Sequence, residues 1–334
     1  MYLGAINHSH FSGTVPVEYI LQSISDGLED KVKMIKQSNQ LLLEYTNHVE
    51  NGEEYDEVVV MEYVEDCWDK GDSNAIGALF YGLIKHKNYY PIYMNLMFNL
   101  LDDENVDHID LRLKLGSIHP VKGDPIKFEL NILNSILRKW KKKGKSFSII
   151  PQASKHSKPH KVESYFLTII KHLNTMKLDP YIISGFDITG CEDKGNKLHT
   201  YEKIIRRLQD KSSIPWYFHA DETGISSNLD FANKYGDIRV GHGTSGNTHL
   251  VRELCPYTYM YLHNRSDEEI REMLLKGNFT ISPDDTNKFR DMTMRDNIDY
   301  VLSLGIDVKD AIKNSIMVTR LPMYRKTEML NKIA

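Results

Sequence analysis

With 334 residues, 41% of them hydrophobic and 26% charged, the chain has the balance of a soluble globular protein and enough length to bury a large core. A formal net charge of −4 gives no reason to expect nucleic acid or an anionic membrane surface as a partner. No apolar run approaches the roughly 18 residues of a membrane helix, and the N-terminus lacks a charged-then-apolar leader layout.

Taken in chain order, short apolar runs bounded by turn residues predict eight buried strands: Tyr2–Asn7, Ile109–Leu115, Phe147–Pro151, Tyr181–Phe186, Pro215–Phe218, Ile238–Val240, Val251–Leu254 and Phe279–Ser282. Helical apolar spacing lies between them at Val162–Met176, Leu198–Gln209, Asn228–Tyr235 and Asp267–Leu275. The stretch between the first two strands reads as further helices, Val17–Ser25, Leu28–Val49, Asp72–His86 and Tyr93–Leu101, with an acidic break at Asn51–Glu57. Alternating strands and helices over this length predict an α/β fold, a TIM-type (β/α)8 barrel with a helical insertion after the first strand. The expected organisation is one barrel domain over residues 1–334, with residues 15–108 inserted into it; a separate helical subdomain is the alternative. His8 lies so near the start that the chain either begins there natively or has lost an upstream domain. Cys67, Cys191 and Cys255 are far apart and odd in number, which argues against a disulfide framework and for a reducing, cytoplasmic compartment.

Four short stretches then stand out: H-S-H at His8–His10, H-A-D-E at His219–Glu222, G-H-G at Gly241–Gly243 and P-D-D at Pro283–Asp285. Each falls at the C-terminal end of an expected strand, the rim where barrels carry their functional residues. Histidines two apart on a strand face the same way, so His8 and His10 can reach one ion. His219 offers a third nitrogen and Asp284 an oxygen, which with an open position for water is the donor set of a catalytic zinc site. Iron, manganese or cobalt would accept the same donors. H-x-H alone is weak evidence of a metal.

Glu222 follows His219 by three residues and can stand beside a metal as a proton carrier; the alternative is a carboxylate serving a helix N-terminus. His242, flanked by glycines, can come close to an activated water, or be a turn histidine. Asp285 can accept a substrate N–H, or cap a turn.

Together H-x-H, H-A-x-E, R-x-G-H-G (Arg239–Gly243), E-L-C-P (Glu253–Pro256), D-D and F-D-I-T-G (Phe186–Gly190) resemble the adenosine deaminase family of the amidohydrolase superfamily. The resemblance is dense from about residue 147 onward and before that is confined to the first 15 residues. It implies one zinc ion per chain on His8, His10, His219 and Asp284. It further implies that Glu222 protonates purine N1, that His242 orients or deprotonates the zinc-bound water attacking C6, that Asp285 holds N7, and that the Gly190 N–H reaches N3. The substrate would be an adenine nucleoside or nucleotide, deaminated to its inosine counterpart with release of ammonia.

Three departures from the family pattern stand out. Asp221 occupies the usual glycine of H-A-G-E, Thr286 the usual proline after D-D, and Ser12 the place of an acidic residue that recognises the ribose 5′-hydroxyl. A neutral Ser12 removes repulsion toward a 5′-phosphate. The loop after strand three (Gln152–Lys161), with Lys155 and Lys158, is expected on the same rim as a phosphate contact. The basic run Arg138–Lys145 precedes strand three and is expected on the opposite face. The competing readings are another metal-dependent hydrolase on this barrel, or a regulated nucleotide-binding effector domain detached from an upstream sensor. A homo-oligomer fits either.

Overall fold

The computed structural model describes residues 1–25, 58–70 and 72–333. Eight strands run through it in chain order: β1 Gly4–His10, β2 Val106–Leu113, β3 Ser146–Ser154, β4 Asp187–Thr189, β5 His219–Ala220, β6 Arg239–His242, β7 Val251–Leu254 and β8 Phe279–Ile281. They pair in parallel as two four-stranded sheets, β1-β2-β3-β4 and β5-β6-β7-β8. Single bridges join the sheets at both seams, Phe186 with Trp216 and Ser9 with Asp284. The sheet therefore closes on itself as a (β/α)8 barrel.

Two strands start later than the apolar runs suggest. Residues 181–186 lie along β3 through Ile149 N–H to Ile182 O at 2.7 Å and Ser184 N–H to Ile149 O at 3.0 Å, but the regular ladder begins only at Asp187. Gly185 explains the irregularity: a Cβ there would sit 2.3 Å from the Tyr217 ring, so the chain bends to admit that ring. The segment 215–218 likewise joins β4 through the single Trp216 bridge before β5, and Pro215 has no N–H to donate.

Helices cover the barrel. Between β1 and β2 lie α1 Val17–Ser25, α2 Val58–Asp69, α3 Ser73–Ile84 and α4 Tyr90–Asp103. The expected helix Leu28–Val49 and the acidic break Asn51–Glu57 lie outside the described residues. After β2 come α5 Pro125–Lys142 and α6 Pro159–Thr175, and then α7 Glu202–Gln209, α8 Ser226–Tyr235, α9 Pro256–His263 and α10 Asp267–Leu274. The chain finishes with α11 Met294–Ser303, α12 Lys309–Met317 and α13 Met323–Leu330. Capping explains several starts: Asp124 accepts from Ile126 and Lys127 N–H before α5, and Ser266 with Glu269 forms a reciprocal capping box before α10. The last basic turn of α5 (Lys139, Lys141, Lys142) precedes β3, at the end of the barrel away from the site.

The period of two along β2 (VDHIDLRL) divides its side chains. Ile109, Leu111 and Leu113 join the hydrophobic core under the helices, while His108, Asp110 and Arg112 are equally buried. Arg112 reaches Asn7 O, Asp187 and Glu253, on β1, β4 and β7, so this second row fills the barrel interior. The interior is thus charged beneath the rim that carries the site.

Candidate active site

His8 and His10, at the end of β1, and His219, at the start of β5, bring ring nitrogens together within 4.8 Å of one another. A second such group contains His8, His242 and Asp284, and a third His10, Asp284 and Asp285. His10 Nε2 and His219 Nε2 face each other at 3.2 Å, and Asp284 Oδ1 lies 3.6 Å from His8 Nε2 and 3.4 Å from His10 Nε2. Donors about 3.4 Å apart are what a tetrahedral ion with ligand bonds near 2.1 Å requires.

The far side of each ring fixes which nitrogen is offered. His8 Nδ1–H donates to Glu253 Oε2 at 3.0 Å, and His219 Nδ1–H donates to Asp187 Oδ2 at 2.6 Å. Both Nε2 lone pairs are therefore turned to the common point. His8 Nε2 is buried with no hydrogen-bond partner among the described residues. Thr258 Oγ1–H takes up Asp284 Oδ2 at 3.0 Å, leaving Oδ1 for the histidines. A metal ion fits this set: imidazole nitrogens and a carboxylate oxygen, buried except at the half-buried His10, face one another with no cation between them among the described residues.

Burial keeps the imidazoles neutral, as ligation demands. It drives His8 well below the ordinary histidine range, with the Arg112 charge adding to the effect, and His219 down to about 3 against the pull of Asp187. His242 is likewise lowered to about 4 by burial, against Glu222. Asp284 is pushed well up by burial, and Asp285 and Glu222 reinforce the push.

The supports are shared. Arg112 Nε–H donates to Asp187 at 2.8 Å and its Nη2 to Glu253 at 2.5 Å. Arg239 pairs with Asp110 at 2.7 Å and with Glu253 at 3.1 Å. One guanidinium thus braces both carboxylates that orient ligand histidines. Gly241 makes room for it: a Cβ there would lie 3.1 Å from His8 Cε1 and 3.4 Å from Arg112 Nη2.

Beside the ligands stand Glu222 and His242, 3.8 Å apart. His263 Nε2–H donates to Glu222 Oε1 at 3.1 Å, and His242 Nδ1 shares a hydrogen bond with the Tyr259 hydroxyl at 3.3 Å. Burial works against the Glu222 charge, but the neighbouring His242 and His263 outweigh it and hold the carboxyl below its ordinary range. The turn that carries Glu222 is clamped by Glu192, a carboxylate 1% exposed. Glu192 accepts from Asp221 N–H at 2.9 Å, Glu222 N–H at 2.7 Å, Thr223 N–H at 3.2 Å and Asn228 Nδ2 at 2.7 Å.

Asp221, Asp284 and His242 all adopt left-handed backbone, with φ of 60°, 66° and 67°. Non-glycine residues there carry strain of about 1–3 kcal/mol and cluster at functional sites. Asp221 keeps the conformation that the family glycine would take freely, and its Oδ2 offsets the cost by accepting Ser245 N–H at 2.7 Å.

A cleft of about 840 Å³ opens over these groups, lined among others by Ser12, Gly190, Glu222, His242, Asp284 and Asp285. Two expected phosphate contacts fall outside it. Lys155 is fully buried below the rim, 3.5 Å from Glu192, because a carboxylate in the next loop takes its charge. Lys158 is the exposed residue ahead of α6, its carbonyl accepting Lys161 N–H, and it does not line the cleft. From that loop only Gln152 and His156 line the cleft. Asp285 reaches the cleft but is ion-paired with Lys288 at 2.9 Å, and only its Oδ1 is unpartnered among the described residues.

Sequence reasoning assigned no role to His263, Glu192, Asp187, Glu253 or Arg112. Asp187 and Glu253 did lie within quoted motifs, F-D-I-T-G and E-L-C-P, and a carboxylate inside an otherwise apolar strand was the available signal. His263 had none.

No family model matches the chain. It is 23% identical to human adenosine deaminase 2 over 283 residues, 75% of this chain and 55% of that protein. It is also 23% identical to adenosine deaminase 2-A of zebrafish (Danio rerio) over 303 residues, 80% of this chain and 58% of that one. The chain therefore spans little more than half the length of these relatives. In fold it is similar to a zinc-bound amidohydrolase from Burkholderia ambifaria, with TM-score 0.73, 14% identity and coverage of 99% of this chain and 90% of that one. The Arabidopsis protein ADAL, solved in complex with GMP, gives TM-score 0.68 and 13% identity over 98% of this chain and 95% of its own.

Proposed function

We propose that this chain, a relative of the adenosine deaminases, is a metal-dependent hydrolase that replaces the 6-amino group of an adenine nucleoside or nucleotide with oxygen. One observation carries the reading. A histidine–aspartate donor cluster and the adjoining Glu222–His242 pair converge in one cleft at the C-terminal rim of the barrel. A phosphoester or lactam hydrolase needs the first group; a purine also needs a proton donor for its ring nitrogen. The GMP-bound state of the solved neighbour is in keeping with a purine in such a cleft.

His8, His10, His219 and Asp284 would hold the ion, and zinc suits three imidazoles and a carboxylate. When bound, zinc supplies a water of lowered pKa at neutral pH. The chain's own residues do the rest. His242 takes a proton from the attacking water, whose oxygen forms the new bond to C6. Glu222 carries the other proton to N1, which drains charge from C6 as the bond forms. The proton on His242 passes to the amino nitrogen, the C6–N bond breaks, and ammonia leaves. Water has then supplied the oxygen and both protons. Gly190, with φ of 113°, lets the backbone lie open along the cleft, so its N–H can meet N3 without a side chain in the way. Asp285, which lines the cleft, would hold the ring at N7 through a proton on its carboxyl, because N7 has no N–H to give.

The test is turnover of adenosine, AMP, ADP and ATP and their deoxy forms by zinc-loaded protein, followed by the change in adenine absorbance. Conversion to the inosine counterpart is expected, reduced by roughly 10²–10⁴-fold in Glu222→Gln with zinc still bound. No conversion of any of them by protein with zinc bound would sink the reading.

A further inference from the structure

Lys85 faces the cleft from the inserted helices. It directly follows α3, and its main chain is tied down: its N–H donates to Tyr81 O at 3.1 Å and its carbonyl accepts from His119 N–H at 2.9 Å. The residue is 2% exposed, yet it lines the cleft beside Phe11, Ser12 and Tyr81. Among the described residues its ammonium has no hydrogen-bonded or ion-paired partner; what it has are aromatic faces, Phe11 at 4.5 Å from Nζ to the ring centroid and Tyr81 and Tyr90 at 6.0 Å. Phe11 is itself stacked on Tyr90 at 4.9 Å, and its carbonyl accepts from the Tyr93 hydroxyl at 2.8 Å, so this aromatic floor is fixed.

A buried ammonium without a directly paired carboxylate is costly, and aromatic faces offset only part of the cost. Burial pulls its pKa down to about 8, with Glu129 opposing. Glu129 accepts Gly116 N–H at 2.7 Å through Oε2, and it acts on Lys85 only through space, without an ion-pair contact. The cleft's other cation near this flank, Lys288, is taken by Asp285 at 2.9 Å. Among the described residues Lys85 is therefore the buried lysine on this flank left free for an anion, with the exposed Lys114 on the same cleft wall. Its neighbour Ser12 is neutral and held in place, its carbonyl accepting Asn287 Nδ2 at 3.0 Å.

Building on the reading of the cleft as an adenine site, we propose that Lys85 selects phosphorylated substrates by pairing with the phosphate of an adenine nucleotide, beside Ser12. The inserted helices, not the loop after β3, then set the preference between nucleotide and nucleoside.

Calorimetric binding of AMP, adenosine and inorganic phosphate to the metal-loaded protein, its Lys85→Met and its Lys85→Arg variants tests this without requiring turnover. The ratio of AMP to adenosine association constants should fall roughly 10- to 100-fold in Lys85→Met and much less in Lys85→Arg. An unchanged ratio in Lys85→Met overturns the proposal. So does inorganic phosphate binding as tightly as AMP, which would mark a site for the free anion. AMP binding that follows the expected ratio without any deamination would overturn the proposed reaction and leave the role of Lys85 standing.

Discussion

His10 and Asp284 meet twice: His10 N–H donates to the Asp284 carbonyl at 2.9 Å, and His10 Nε2 lies 3.4 Å from Asp284 Oδ1. The first contact is part of the seam that closes the barrel between β8 and β1; the second is part of the candidate metal centre. Asp284 N–H also donates to His8 O at 3.1 Å. Donors from opposite ends of the chain are thus set by barrel closure itself, and left-handed backbone at Asp284 turns its carboxylate inward.

Removing that carboxylate should separate stability from metal binding. Asp284 is crowded by Asp285 and Glu222 and pushed up mainly by burial. In chelator-treated protein, Asp284→Asn is expected to raise Tm by roughly 2 °C, because a buried like-charge contact is lost. The rise in Tm on adding zinc should shrink in the same variant. A variant with lower metal-free Tm and an undiminished zinc response would contradict the assignment.

Asp187 should matter to the metal without touching it. It holds His219 Nδ1–H and is itself held by Arg112. Asp187→Asn is expected to weaken zinc affinity roughly 10- to 100-fold, as measured by competition with a chromophoric chelator. Unchanged affinity in a folded variant would show that the tautomer of His219 is set by something else.

Glu192 is read as a positioning residue. Its carboxylate gathers three successive N–H groups at residues 221–223, and with them the direction of Glu222. Glu192→Gln can accept on one side only, so kcat should fall about 10- to 100-fold while zinc content and KM change little. A fall in zinc content in step with kcat would point instead to a collapsed barrel rim.

Asp291 predicts a pH effect on stability away from the ligands. Its Oδ1 accepts Val17 N–H at 2.9 Å, and burial pushes its pKa up from 3.8 to about 7. The folded state then binds this proton more tightly than the unfolded state, so its contribution is present below pH 3.8 and is lost as pH rises toward about 7. Asp291→Asn keeps an acceptor for Val17 and cannot ionise. Its Tm relative to the parent should be higher at pH 8 than at pH 4; equal differences at both would refute the shift.

The cluster of histidine and aspartate donors was legible in the sequence because strand ends, H-x-H spacing and chain order all constrain it. The barrel was legible because buried parallel strands read as apolar runs. What stayed hidden has a common cause. Arg112 and Asp110 look like exposed residues of an alternating strand, and only closure of the barrel places that face inside. Lys155 sits in a basic loop that reads as solvated, but Glu192, 37 positions later, draws it inward. The left-handed turn at Asp221 is invisible where glycine is replaced. Lys85 sits in the divergent helical part, where no motif marked it.

The most direct test of the account is the fate of oxygen. Zinc-loaded protein is given AMP in heavy-oxygen water and the products are weighed by mass spectrometry. The account predicts an inosine counterpart carrying one heavy oxygen on the base, one ammonia per product, and an intact ribose phosphate. Heavy oxygen appearing on phosphate, or adenine left unchanged by protein that holds zinc, would contradict it.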